Sequence, residues 1–486
     1  MGSSVSAAAV ANLGRDSDWT GIRATVVGIG VAGFSCADAL VQLGARVTVI
    51  DESSGEAQEE KAEILRTIGA QVSIGSDSID TDTTDLVVVS PGIRPSAHIV
   101  QPPLQSKIPV WGELELAWRL RVGDAPWLCV TGTNGKTTAT LMLESILKAA
   151  GAKVSAAGNI GNPLVDVVMH DDVDVLAIEV GAPQLPFVFT MSPWAALCLN
   201  IAHDHIDHFG TYENYVAAKE RVYSHCQMAA VYAVEEPETR SMVERADVVE
   251  GCRAIGITSG IPAVGMLGVV DGTLVDRAFV VDRQEVAQEL ASVDDVKPNA
   301  PHNVLNALGA AALARAYGVE ANSVREGLRT FEAAPHRITE IGEVAGIRFV
   351  DDSKATNAHA AETSLRAYST VVWIAGGVAK GQDFDDLVAA VRERLRGVVL
   401  VGVDKGAIRE ALIRHAPDIP VIIIDRTDTG AMTDVVAAGM ELAQPGDVVL
   451  LAPGCASWDM FSDYADRGRR FTDAFHALQQ GMGSIE

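Results

Sequence analysis

An ammonium group, a hydroxyl and a carboxylate gathered around a glycine turn could hold and transfer a phosphoryl group. This chain of 486 residues has a stretch that supplies them. Thr131-Gly132-Thr133-Asn134-Gly135-Lys136-Thr137-Thr138 follows Trp127-Leu128-Cys129-Val130, an apolar run short enough for a buried strand. After it, Leu141-Met142-Leu143-Glu144-Ser145-Ile146-Leu147-Lys148 keeps its apolar residues at helical spacing until Gly151. Strand, turn and helix together make a phosphate cradle, because backbone N–H groups and the positive end of the helix dipole face an anion there. Gly132, Thr133, Asn134, Gly135, Lys136, Thr137 and Thr138 are therefore expected to bind nucleotide phosphates. Lys136 can reach the β- and γ-phosphates, and the Thr137 hydroxyl can ligate Mg²⁺. The first glycine of the usual consensus would fall at Val130, so this is a tighter loop that keeps the Gly-Lys-Thr core. Farther on, the apolar run Val175-Leu176-Ala177-Ile178 delivers Glu179 at a strand end. There it can serve as a Mg²⁺ ligand or water-positioner, or sit solvated at an edge.

Two other motifs suggest different chemistry. Gly28-Ile29-Gly30-Val31-Ala32-Gly33 lies between a strand, Arg23–Val27, and a helix, with Asp51 after a second strand, Val47–Ile50. This satisfies the dinucleotide fingerprint and, read alone, suggests an NAD(P)-dependent oxidoreductase, although such a turn accepts any pyrophosphate. Ser90-Pro91-Gly92-Ile93, after the run Leu86–Val89, is a second small-residue loop at a strand's C-terminal end. His203-Asp204-His205-Ile206-Asp207-His208 has the ligand spacing of a binuclear zinc hydrolase. The preceding phosphate cradle argues against that reading, leaving one or two of these histidines to touch metal. Asn303 and Asn306 share one face of an alanine-rich helix, suited to an adenine edge or to a cap.

The elements that must position these groups read as alternating strands and helices, an α/β architecture. We expect three domains: a Rossmann-like N-terminal domain over residues 1–120, a central P-loop ATPase-like domain over 121–334, and a C-terminal Rossmann-like domain over 335–486. Ala333-Ala334-Pro335 followed by His336-Arg337 marks the passage into the third. Its strand ends carry Asp351–Asn357, Gly376–Gly381 and Pro453–Trp458, whose lysines and hydroxyls could line an anion pocket. Such local exceptions matter because 64 acidic against 38 basic residues give a net charge of −26. That surface argues against nucleic-acid partners, which need basic stripes. The six scattered cysteines form no CxxC pair and sit mostly in apolar runs. With no signal peptide and no membrane-spanning stretch legible, a cytoplasmic protein with buried thiols is expected.

Taken together, these motifs resemble the Mur ligases, the ATP-dependent ligases that build the peptide stem of peptidoglycan. The resemblance covers nearly the whole chain. Thr131–Thr138, Gly158-Asn159-Ile160-Gly161, Asn200 with Asp204-His205, Ala218-Lys219, His302-Asn303 with Asn306, and His336-Arg337 follow in family order. Val110–Ala117, Asp352–Asn357, Gly376-Gly377 with Lys380-Gly381, and Ser457-x-Asp459-x-Phe461 are similar to the D-glutamate-adding branch. The Asp-Asn-Pro-Arg signature of the diaminopimelate-adding branch is absent. The resemblance implies joining of D-glutamate to UDP-N-acetylmuramoyl-L-alanine through an acyl phosphate, by a monomer using ATP and two Mg²⁺ ions. It implies that Lys136, His205 and Lys219 are catalytic, and that Thr137, Glu179, His205 and a carbamylated Lys219 hold metal. Asn303, Asn306, Arg337 and Asp352 would join the phosphate loop in binding ATP. Gly30, Val31, Ala32, Gly92 and Asn159 would bind the sugar nucleotide, and Lys354, Thr356, Lys380, Ser457, Trp458 and Tyr464 the glutamate. The chain departs from the family at Gly181-Ala182-Pro183, where Ser-Ser-Phe is usual, and at Glu52-Ser53, where Thr-Arg is common.

Overall fold

The computed structural model describes residues 6–298, 300–332 and 336–483. The chain divides into two compact units, Met1–Phe331 and Glu332–Glu486. The expected boundary between residues 334 and 335, with Ala333-Ala334-Pro335, lies outside the described residues. The described residues form three sheets, two in the first unit and one in the second.

The first sheet is parallel, with β1 (Arg23–Val27), β2 (Arg46–Asp51), β3 (Gln71–Ile74), β4 (Leu86–Val89) and β5 (Val110–Gly112) in the order β3-β2-β1-β4-β5. Residues of β4 are buried on both faces, which is why its run is uninterrupted Leu-Val-Val-Val. At the outer edge, β3 alternates exposed and half-buried residues. The order reverses between β1 and β4, where helices leave the sheet in opposite directions and a crevice opens.

The second sheet contains β6 (Trp127–Thr131), β7 (Val154–Gly158), β8 (Val175–Glu179), β9 (Ala195–Cys198), β10 (Ala229–Ala233), β11 (Arg253–Ile257), β12 (Met266–Val270), β13 (Thr273–Asp276) and β14 (Gln288–Ser292). Its order is β14-β13-β12-β11-β10-β9-β6-β8-β7. Strand β6 is wholly buried between β9 and β8, so its C-terminal loop opens inside the sheet's edge rather than at it. The stretch 226–298, poor in sequence signals, extends this sheet by two further parallel strands and an antiparallel meander. Against the sheet lies the helix Pro301–Tyr317, with proline in its first turn and Gly318 in the left-handed region at its end. Its alanines are buried nearly all round, beside the helix Lys136–Ala149.

Buried polar groups join the first two sheets. The Glu113 carboxylate, on the helix Glu113–Leu120, accepts from Leu164 N at 2.7 Å. Glu115, two residues on, accepts from Phe189 N at 2.7 Å, Thr190 N at 2.9 Å and the Thr190 hydroxyl at 2.7 Å. Arg15 donates to the carbonyls of Leu120 and Val168, both at 3.1 Å. A continuous apolar core contains residues of both sheets.

The second unit is built on β15 (Thr339–Val344), β16 (Ile347–Asp351), β17 (Val371–Gly376), β18 (Leu395–Val401), β19 (Val421–Ile423) and β20 (Val448–Leu451), in the order β15-β16-β20-β17-β18-β19. All neighbours are parallel except β15 with β16. The long helix Tyr464–Gly483 packs Phe471 and Phe475 against Phe349 of β16, at centroid distances of 6.3 and 4.9 Å. All six cysteines are free, and no described helix is long and apolar enough to cross a membrane.

One close approach in this packing is testable. Gly327, on the helix Ala321–Arg329, lies against the backbone of Lys136–Ala149, and a Cβ there would meet Ile146 Cα at 2.3 Å. Gly327→Ala should cost about 1–3 kcal/mol of stability by forcing the helices apart. Urea unfolding measures this, and an unchanged midpoint would contradict the packing.

Candidate active site

The phosphate loop is built by the strand that precedes it. Strand β6 ends at Thr131, whose hydroxyl donates to Val180 O at 2.8 Å and so ties the loop's start to the end of β8. Gly135 then adopts the left-handed region, with φ +80°, and a Cβ there would meet Asn306 Oδ1 at 2.4 Å. Only glycine combines that turn with so close a neighbour. The helix Lys136–Ala149 starts at once and has no acidic residue in its first turn, so its positive end is left for an anion.

Asn200 clamps the loop from the neighbouring strand. Its side-chain oxygen accepts from Asn134 N at 2.8 Å, its amide donates to Asn134 O at 3.1 Å, and its carbonyl accepts from Thr133 N at 3.0 Å. The Thr133 hydroxyl meets Tyr215 Oη at 3.0 Å. Neither Asn200 nor Tyr215 was given a role on motif grounds. The signal for Asn200 is its place as the first polar residue after an apolar strand.

Two lysines converge on one carbonyl. Lys136 Nζ donates to Gly132 O at 3.0 Å and Thr133 O at 2.9 Å, and Lys219 Nζ donates to the same Gly132 O at 2.7 Å. Lys219, on the helix Tyr212–Glu220, is 1% exposed, and burial, with the nearby Lys136 charge, pushes its pKa down to about 7. Across the loop, Glu179 at the end of β8 is also buried. It accepts from Thr137 Oγ1 at 2.5 Å and from Asn159 Nδ2 at 2.9 Å. Hydroxyl and carboxylate oxygens are the hard donors that Mg²⁺ selects, so Thr137 and Glu179 fit that ion. An unmodified Lys219 ammonium would repel a cation, but an amine titrating near neutrality can react with CO₂ to become a carbamate with oxygen donors.

His205 borders the group. It takes φ +53° at the start of the short helix Ile206–Phe209, and its ring lies 6.3 Å from that of Tyr215, above which Lys219 Nζ sits at 5.0 Å. His203 stacks on Tyr212 at 4.4 Å, and His208 packs on Phe209 at 4.7 Å. The three imidazoles thus face three different aromatic rings, and no described group of three or more His, Cys, Asp or Glu could hold a metal ion. The zinc-hydrolase reading of this motif is corrected accordingly. Asn306, from the helix Pro301–Tyr317, donates to Asn303 Oδ1 at 3.0 Å and brings that helix face to the phosphate loop.

At the β1–β4 switch point, Gly30, Val31 and Ala32 open the helix Val31–Gln42, and Gly92 lies in the turn after β4. The two loops touch where Ser90 Oγ donates to Gly28 O at 3.2 Å. Asp51 ends β2, where the dinucleotide fingerprint puts a ribose ligand. Its carboxylate accepts from Ile29 N at 2.7 Å and Ser53 N at 2.8 Å and so braces the glycine turn, and the oxidoreductase reading is corrected by the family matches given below.

In the second unit, Asp352, Lys354, Thr356, Lys380, Ser457 and Trp458 lie on loops at the C-terminal ends of β16, β17 and β20, Arg337 just before β15, and Tyr464 at the start of the last helix. Asp352 is turned inward, accepting from the Ser364 hydroxyl and, at 3.3 Å, from Ile338 N. Arg337 lies close enough to stabilise its charge. Lys354 Nζ sits 3.8 Å over the Tyr464 ring. Thr356 N donates to Lys354 O at 2.8 Å. The loop of Lys380 is tied to that of Ser457 by the bridge between Val378 and Ala456. Ser457 is buried with its hydroxyl unpartnered, and Trp458 is 68% exposed.

Comparison with known proteins adds a family to this geometry. Residues 22–112 match the Mur ligase MurD-like N-terminal domain, 130–314 the Mur ligase middle domain, and 336–455 the Mur ligase glutamate ligase domain. The chain is 52% identical over 464 residues to the UDP-N-acetylmuramoylalanine–D-glutamate ligase of Streptomyces avermitilis, covering 95% of this chain and 99% of that protein. It is 39% identical to the enzyme of that name from Mycolicibacterium smegmatis, covering 94% and 97%. Among solved structures it resembles the UDP-N-acetylmuramate-alanine ligase of Thermotoga maritima, with TM-score 0.56 and 17% identity, covering 94% and 100%. It also resembles a pseudomurein peptide ligase of Methanothermus fervidus, with TM-score 0.58 and 16% identity, covering 94% and 100%. These structural likenesses bear on the fold.

Asp352 yields a pH prediction. Burial raises its pKa from the usual 3.8 to about 6, against the opposing pull of Ser364 and Arg337. The folded chain therefore keeps a proton there that the unfolded chain has released, and this contribution to stability is lost as pH rises through about 6. Asp352→Asn removes the dependence. Across pH 4 to 7, urea unfolding should show the stability difference moving in the variant's favour as pH rises; a constant difference would contradict the protonation.

Proposed function

The chain belongs to the Mur ligase family, and on that premise we propose that it is an ATP-dependent ligase joining D-glutamate to UDP-N-acetylmuramoyl-L-alanine in peptidoglycan-precursor synthesis. The observation that carries this reading is the 52% identity across nearly the whole of an enzyme of that name, combined with the grouping of Lys136, Thr137, Glu179 and Lys219 at one loop. The reading extends to a monomer acting in the cytoplasm. Residues 1–120 would bind the uridine nucleotide, 121–334 ATP, and 335–486 the amino acid.

In this proposal the L-alanyl carboxylate attacks the γ-phosphorus of ATP, ADP leaves, and an acyl phosphate forms. The glutamate amine then adds to the activated carbonyl, loses a proton, and the tetrahedral adduct expels phosphate to leave an amide. Mg²⁺, held at Thr137 and Glu179 with a second site at His205 and carbamylated Lys219, would supply charge neutralisation on the phosphoryl oxygens. Lys136 and the amides of Gly132 to Thr138 would hold the β- and γ-phosphates while charge spreads over the transferred group. Asn159, bonded to Glu179, keeps that carboxylate in place beside the loop, and with Gly30, Val31, Ala32 and Gly92 it would grip the sugar nucleotide. Asn303, Asn306, Arg337 and Asp352 would bind adenosine. Lys354, Thr356, Lys380, Ser457, Trp458 and Tyr464 would bind glutamate, the lysines pairing with its carboxylates.

Phosphate release from ATP that requires both UDP-N-acetylmuramoyl-L-alanine and D-glutamate supports the reading. Oxidation of NAD(P)H, or EDTA-sensitive hydrolysis without ATP, would overturn it. Lys219→Ala should lower the rate on the order of 100-fold or more, since a preorganised charge is lost. Added short carboxylates should restore part of that activity, and full activity in the variant would refute the carbamate role.

A further inference from the structure

Arg467 lies in the second turn of the helix Tyr464–Gly483 and is among the largest fully buried side chains, with 2% exposure. Among the described residues it makes no ion pair. Its guanidinium spends its hydrogens on neutral oxygens instead. Nε donates to Ser353 Oγ at 2.9 Å, Nη2 to Ser353 O at 2.8 Å, and Nη1 to Cys455 O at 3.1 Å. Ser353 Oγ in turn donates to Tyr464 O at 2.7 Å. Burial pulls the pKa of Arg467 down only to about 10, so it stays charged at neutral pH. The carboxylates of Asp459 and Asp351 favour its charge from beyond ion-pair distance, but a charge kept this far from water is still costly, and a residue that merely filled space here would be apolar.

The oxygens held by this fork belong to the segments that carry the amino-acid pocket. Ser353 precedes Lys354, Cys455 lies two residues before Ser457, and Tyr464 opens the helix and lies under Lys354 Nζ. The Ser353 and Cys455 segments come from the ends of two adjacent strands, β16 and β20. The main chains after those strands are joined there through the two arms of one planar group. We propose that Arg467 is a positioning residue for the amino-acid substrate: it sets the spacing of Lys354, Ser457 and Tyr464 without touching glutamate. This rests on the reading above that these residues bind glutamate. Lysine cannot replace it, because a compact ammonium on a flexible stem cannot span acceptors that a rigid fork reaches together.

The test is steady-state kinetics on the full chain with each of the three substrates varied in turn. Arg467→Lys should raise KM for D-glutamate on the order of tenfold, with KM for ATP and for the uridine nucleotide changing less than about twofold. Phe471→Leu, on the same helix but packed on Phe349, should lower the unfolding midpoint and leave all three KM values in place. Equal changes in all three KM values for Arg467→Lys, or none, would overturn the proposal. If Arg467→Lys does not fold, Ser353→Ala decides the matter. Loss of that hydroxyl should raise KM for glutamate selectively, and an unchanged value would overturn the proposal. Lys354→Ala, run alongside, separates the two levels. A raised glutamate KM in that variant keeps the pocket whatever Arg467 does, whereas an unchanged one removes both the pocket and the proposal.

Discussion

Two lysine side chains directed at one backbone carbonyl are the constraint on which the central site depends. Lys136 and Lys219 both donate to Gly132 O, in a chain whose net charge is −26. The burial of Lys219, and after it the Lys136 charge, lower the affinity of that amine for its proton. The loop cannot relax away from them, because Asn200 holds it on one side and Thr131 is bonded to Val180 on the other. The result is a positive locus set by Lys136 at the start of a helix, where a polyphosphate is favoured by dipole and charge together, beside an amine that loses its proton near neutrality. An acidic surface elsewhere makes that locus the exception rather than part of a general field.

Glutamate side chains do the converse work between the first two sheets. Glu113 and Glu115 sit in one helical turn, buried, and accept backbone N–H groups from the second sheet's loops. Burial raises the pKa of Glu113, while those N–H donors oppose the shift. Gln184 links this junction to the region after β8, donating to Glu113 at 3.4 Å and accepting from Gly181 N at 2.7 Å. Gly181 has no side chain to displace Asn159, which lies 3.2 Å from where its Cβ would stand. The departure from the usual Ser-Ser-Phe thus falls where the chain packs tightly behind Glu179.

Much of the site was legible because its residues are local. The phosphate loop, the glycine turn after β1 and the paired amides Asn303 and Asn306 each declare themselves within a few residues of a strand end or helix start. Other readings failed where one local pattern serves two ends. Asp51 has the spacing of a ribose ligand, yet its carboxylate braces the glycine turn of its own sheet. His203, His205 and His208 have ligand spacing, yet their rings lie beside three different aromatic side chains and do not gather into one cluster. The meander β12–β14 gave little signal because each of its strands buries only two or three residues in a row beside half-buried or exposed ones.

The sequence by itself determined the α/β class, the phosphate cradle and the family, since apolar periodicity, glycine spacing and charged residues at strand ends are properties of neighbouring residues. Only the tertiary structure decided that Lys219 meets Gly132 across 87 positions, and that Arg467 joins Ser353 to Cys455. Strand order, which brings β6 beside β8 and β16 beside β20, places such groups together. That order follows from burying both faces of each sheet at once, a global condition that no short stretch of chain can express.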